Sequence, residues 1–93
     1  MADPRDAAAA ARRDLVMRLK RVEGQLRGVQ HMIEANEDCE AVAQQLSAAR
    51  KALDKAFYEL LACALEHPQF ATAKGERQEA RVQRIARALA KFA

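Results

Sequence analysis

From Cys39 to His67 the chain runs for 29 residues without a glycine or a proline, and Pro68 closes the run. Within it, every seventh residue builds two apolar rows: Cys39, Leu46, Leu53, Leu60 and Val42, Ala49, Ala56, Cys63. Steps of three and four on a 3.6-residue helix bring both rows onto one stripe. The stretch therefore predicts one long amphipathic helix with a cysteine toward each end of its apolar seam. Along a straight helix the two thiols lie ~36 Å apart, at about 1.5 Å per residue, so they cannot meet within one chain. An antiparallel pair of such helices, centred near Lys51, would bring Cys39 of one copy toward Cys63 of the other.

The rest of the chain repeats the pattern. Leu15, Leu19, Val22, Leu26, Val29 and Ile33 step by four and three and predict a first helix over about 7–35. Residues 1–6 read as a frayed arm with Asp6 as the cap, and Asn36 as the exit. Asp38 is placed to cap the second helix, about 39–67. Residues 69–75 read as a connection, and Val82, Ile85, Leu89 and Phe92 mark a third helix over about 76–92. With three glycines, two prolines and no tryptophan, the expected fold is all-α, one domain over 1–93, with three helices. A chain this short buries a thin core, which makes oligomerisation the natural expectation. Gly24 and Gly28 lie inside the first helix, where each costs up to ~1 kcal/mol against alanine. A close approach between helices is the reading that explains them.

The net charge of +3 is unevenly spread, at +2 over residues 1–35, −3 over 36–67 and +4 over 68–93. The ends are thus the segments suited to a polyanion. Arg13, Lys20 and Arg27 fall seven apart on one line, Arg18 and Arg21 lie three apart, and Glu23 can pair with Arg27 at i,i+4. Arg50, Lys51 and Lys55 sit near the middle of the second helix, so an antiparallel pair would gather them at its twofold axis. The alanine run 7–11 is too short for a signal peptide or membrane span. Two cysteines in a helical chain fit a reduced, cytoplasmic setting better than a disulfide scaffold. No nucleophile–base spacing, phosphate loop or paired carboxylates in an apolar setting points to an enzyme.

The run Arg18-Leu19-Lys20-Arg21-Val22-Glu23-Gly24-Gln25-Leu26-Arg27-Gly28-Val29 resembles the opening signature of the CsoR/RcnR/FrmR family of small bacterial transcriptional repressors. The resemblance continues through Met32-Ile33-Glu34, the isolated Cys39, Gln44 to Arg50 and Ala52 to Lys55, covering about residues 13–67. It implies two long antiparallel helices and a shorter third, an antiparallel four-helix-bundle dimer, and a flat tetramer of two dimers. It also implies binding of double-stranded operator DNA without a helix-turn-helix, and release when a cysteine is modified or binds a ligand. Arg18 and Lys55 match the family's basic DNA positions; Lys20, Arg21, Arg27, Arg50 and Lys51 are auxiliary candidates. A broad basic face of this type works through phosphate contacts and DNA shape, with a steep salt dependence.

The sensor site departs from the family. Cys39 matches the family cysteine, but the two metal-ligand positions on the partner's second helix are Ala64 and Pro68 here. Neither side chain binds metal, and cuprous ion needs soft thiolate and imidazole ligands. Pro68 also removes the second cysteine of persulfide sensors, and the added histidines of nickel and cobalt sensors are missing. Formaldehyde sensors pair the cysteine with an N-terminal proline; here Pro4 is near the start, and Ala2 would follow the initiator methionine. Two readings stand. In one, Cys39 alone is the sensing residue, responding to an electrophile such as an aldehyde or to an oxidant. Its place near a helix N-terminus favours negative charge, while Asp38 and Glu40 oppose it. In the other, Cys39 joins Cys63 and His67 of a second copy in an altered metal site. Against that, Cys63 also reads as a small buried hydrophobe, and His67 as a helix-end residue favoured by the dipole.

Overall fold

The computed structural model of the chain describes residues 3–68, 70 and 75–93. It contains three helices, α1 (Pro4–Glu34), α2 (Cys39–Glu66) and α3 (Gln78–Phe92). No strand occurs among the described residues.

Capping chemistry sets the helix ends. α1 begins earlier than its apolar pattern suggests. Asp3, not Asp6, is the cap: its carboxylate accepts the Arg5 backbone N–H at 2.9 Å, and Pro4 takes a first-turn position where its missing N–H is harmless. The Arg5 backbone N–H, and then its guanidinium, hold the Asp3 carboxyl below its ordinary range. At the other end Asn36 adopts a left-handed φ of 57°. Its N–H donates to Ile33 O at 3.1 Å, and the Glu37 N–H donates to Met32 O at 3.0 Å. That paired closure is a Schellman motif, with asparagine in the place usually held by glycine. Two residues later Asp38 caps α2, accepting the N–H groups of Glu40 at 3.1 Å and Ala41 at 3.3 Å. The tight 35–38 connection turns α2 antiparallel to α1.

Only half of each apolar stripe is buried in the protomer. Leu15, Val22 and Val29 of α1 and Ala49, Ala56 and Cys63 of α2 are the buried residues where the two helices pack together. Large side chains on one helix facing small ones on the other allow a close, narrow seam. The second row on each helix is left outside: Leu19, Leu26 and Ile33 on α1, with Leu46, Leu53 and Leu60 on α2. Between them runs an open apolar groove of about 650 Å³, lined in part by Val22, Leu26, Leu46, Ala49 and Leu53.

α3 closes the far end of the hairpin, packing on α2. The core there joins Leu15, Ala56, Cys63, Ala64, Phe70 and Ile85. The expected α3 stripe is only partly used. Ile85 is buried, whereas Val82, Leu89 and Phe92 are exposed. The second buried residue of α3 is Arg81, 3% exposed. It stands one turn before Ile85 and so shares the inward line. The expected connection 69–75 lies largely outside the described residues; within it, Phe70 is buried and Gly75 has a φ of 75°.

The close approach expected at Gly24 and Gly28 does not occur inside the protomer. A methyl group built at Gly24 would meet only the Arg27 guanidinium, at 3.9 Å, and one at Gly28 would meet nothing within 4 Å.

Candidate functional site

Arg18 sits on α1 at the flank of the hairpin, one turn from Leu15. Its guanidinium Nε is ion-paired with Glu59 Oε2 of α2, each side chain about 33% exposed. The contacting atoms are themselves enclosed. The pair engages the Nε edge of the guanidinium. Lys55, one helical turn before Glu59, is exposed on the same flank. Arg18 and Lys55, far apart in sequence, are thereby brought to one side of the molecule with an acidic side chain between them.

The auxiliary basic residues do not all join this flank. Lys20, Arg21 and Arg27 are exposed on α1, with Arg21 one turn after Arg18, while Arg50 and Lys51 are exposed on α2. Arg50 borders the apolar groove with Leu46, Ser47 and Leu53. The expected Glu23–Arg27 ion pair is not formed. Among the described residues the ion pairs are Arg5–Asp3, Arg18–Glu59 and Arg84–Glu76.

The two cysteines are in opposite environments. Cys39 is exposed at the first turn of α2, on the outer row with Leu46, Leu53 and Leu60. Cys63 is 8% exposed, on the inner row, inside the core shared by α1, α2 and α3. Burial, and then the charges of Glu59, Glu66 and Asp14, push its thiol pKa up. Both effects oppose the thiolate, the form that reacts and binds metals. His67 follows the end of α2, with Nε2 4.0 Å from the Glu66 carboxylate.

At Ala64 and Pro68, which the resemblance pairs with metal-ligand positions, the structure holds other interactions. Ala64 is buried. Its carbonyl accepts a hydrogen bond from Arg81 Nη1, which also donates to Leu65 O at 3.5 Å. These are last-turn carbonyls of α2, without intrahelical partners, and a cation is the favoured group for them. Pro68 lies beside Glu76, Gln78 and Arg81 in a small cleft. Among the described residues no three His, Cys, Asp or Glu side chains of the chain converge as a metal site. Neither the Ala64 methyl nor the Pro68 ring has an atom that ligates a metal.

A family profile described as metal-sensitive transcriptional repressor matches residues 11–91, spanning all three helices. The chain belongs to this repressor family. Curated proteins gave no match. A metal-sensitive transcriptional repressor family is one of DNA-binding, typically oligomeric regulators and not of enzymes. The all-α architecture agrees with it. Among the described residues no helix is long and apolar enough to cross a membrane.

Three residues around these positions are not picked out by the sequence pattern. Glu59 meets Arg18 only through the antiparallel register of α1 and α2, for which no local spacing is a signal. Arg81 does carry a signal, since it lies four residues before Ile85 on the line of the α3 stripe. Phe70 lies in a connection, where helical periodicity says nothing; its ring lies 5.2 Å from the Arg12 guanidinium.

Proposed function

We propose that the protein is an operator-binding repressor in which Cys39 is the sensing residue. The observation that carries this reading is the separation of the two thiols. Cys39 is exposed at a helix N-terminus on the outer row, and Cys63 is enclosed in the protomer's own core. In this reading two copies join through the exposed leucine rows as an antiparallel four-helix bundle, and two dimers form the DNA-binding tetramer. The Cys39 thiol then borders the interface, where added bulk or charge changes how the copies pack. An aldehyde would add to the thiol as S–CH(OH)R, the thiol proton passing to the carbonyl oxygen; a peroxide would take the thiolate to sulfenic acid. Double-stranded DNA binds mainly through Arg18 and Lys55, with Lys20, Arg21, Arg27, Arg50 and Lys51 adding phosphate contacts. The setting is the cytoplasm, where operator DNA is reached and thiols stay reduced.

The family description favours a second reading, in which a metal ion is the inducer and binds an altered site drawn from Cys39 with Cys63 and His67 of a second copy. Cys63 would have to leave its core to serve, so Cys39 and His67 are the stronger members of that set.

Operator binding measured with the wild type, Cys39→Ala and Cys63→Ala separates these readings, each with formaldehyde, hydrogen peroxide or cuprous ion added. Release by the aldehyde or the peroxide in the wild type and Cys63→Ala, and none in Cys39→Ala, is the expected result. Normal release by Cys39→Ala would refute the sensing role. Stoichiometric metal binding with release by the metal alone would establish the second reading.

A further inference from the structure

α1 carries exposed cations that no carboxylate among the described residues pairs with. Lys20, Arg21 and Arg27 are exposed, and none of them is in an ion pair among the described residues. They surround one point. On a helix the neighbours of Gly24 are the residues three and four positions away, and these are Lys20, Arg21, Arg27 and Gly28. Three cations thus border a patch of bare helix backbone formed by two glycines one turn apart.

Nothing in the protomer requires glycine there. Neither residue has the positive φ that would exclude a side chain, and an added methyl meets open space at Gly28 and only the Arg27 side chain at Gly24. Alanine would suit the helix better on intrinsic grounds. The gap is therefore suited to something outside the protomer that comes close to the α1 backbone. A second copy of α1 crossing at the glycines would set Lys20, Arg21 and Arg27 against their own images, and like charges at close range oppose such a contact. A second copy is also already offered a different surface, the apolar rows through Leu26 and Leu53. A polyanion meets the opposite condition, since each cation gains a partner.

We infer that a DNA sugar–phosphate strand lies over Gly24 and Gly28, in van der Waals contact with the α1 backbone and held by Lys20, Arg21 and Arg27. The inference rests on the operator-binding reading and deepens it. It adds to the Arg18–Lys55 flank a contact in which the absence of a side chain, and not only the presence of charge, sets affinity. The glycines act here by permitting the approach, and the flanking cations supply the attraction.

The test uses the full chain with Gly24→Ala, Gly28→Ala and the double substitution. Three quantities are read: operator affinity over a salt series, the thermal midpoint and the sedimentation coefficient. The expected result is a thermal midpoint equal to or above wild type, unchanged assembly size, and affinity at least tenfold weaker in the double variant. Phosphates held off the surface should also flatten the slope of log affinity against log salt. Unchanged affinity in a normally folded double variant would overturn the inference while leaving operator binding intact. Loss of assembly size would overturn it in favour of a contact between copies. A wild-type chain that binds no duplex DNA would refute the operator-binding reading itself, and the inference with it.

Discussion

Replacing Leu53 tests whether the exposed apolar rows are an interface. Leu53 is 48% exposed in the protomer and lies near the middle of α2, so an antiparallel pair sets its two copies close together at the axis. Burying a leucine completely contributes about 1.5–3 kcal/mol. Roughly half of that is still to be gained here, or ~1 kcal/mol per copy and ~2 kcal/mol per dimer. Leu53→Ala should therefore weaken dimerisation about thirtyfold, at ~1.4 kcal/mol per factor of ten. Leu53→Asp should be far more severe, because two carboxylates would be desolvated beside each other, at several kcal/mol per ion on the order-of-magnitude scale. The protomer fold should tolerate both changes, since the side chain is not in its core. Sedimentation velocity over a dilution series reads the assembly, and the concentration dependence of the thermal midpoint reports the same linkage independently. A Leu53→Asp chain that sediments like wild type, or a wild type that is monomeric throughout the series, would refute the argument.

Other expectations follow from single contacts. Arg81→Met keeps the volume but leaves the Ala64 and Leu65 carbonyls without their cation, so stability should fall by ~2 kcal/mol, read as a lower denaturant midpoint. An unchanged midpoint would mean that Met packing offsets the lost bonds. Arg18→Ala should weaken operator binding and lower the salt slope by about one. Glu59→Gln removes the carboxylate paired with Arg18 and should tighten binding several-fold; weaker binding would show that Glu59 is needed to orient Arg18. In the folded chain iodoacetamide should label Cys39 and spare Cys63. The raised pKa of Cys63 sets the sign of a pH effect, because the unfolded thiol, near its ordinary 9.0, loses its proton first. Stability is then full below about pH 9 and is lost as pH climbs toward the raised folded value. Cys63→Ala should abolish that part of the alkaline loss in urea titrations at successive pH values.

Local rules carried the helices. Periodicity at three and four residues located α1, α2 and α3, and Asp38 and Asn36 marked the turn between the first two, because caps and apolar spacing act over a few residues. The same spacing could not divide each stripe into the row that faces the protomer's own seam and the row that faces outward. That division depends on which side chains oppose each other across the hairpin, and small Ala49 and Ala56 against Leu15, Val22 and Val29 decide it. Cys39 and Cys63 fall on different sides of the same division, which is why a periodic pattern that puts both on one seam cannot tell an exposed thiol from an enclosed one. The N-terminal start at Asp3 is not legible in the periodicity, because an alanine run has no periodic edge. Arg81 shows the remaining limit. Its charge suggests solvent, but the unpartnered carbonyls at the end of α2 draw it inward, and those carbonyls become its neighbours only when α3 folds back. The basic residues were readable as a set from spacing and resemblance. Their sorting into an Arg18–Lys55 flank and a glycine-floored face on α1 is a property of the antiparallel pairing of α1 and α2, since only that pairing decides which side of each helix faces outward.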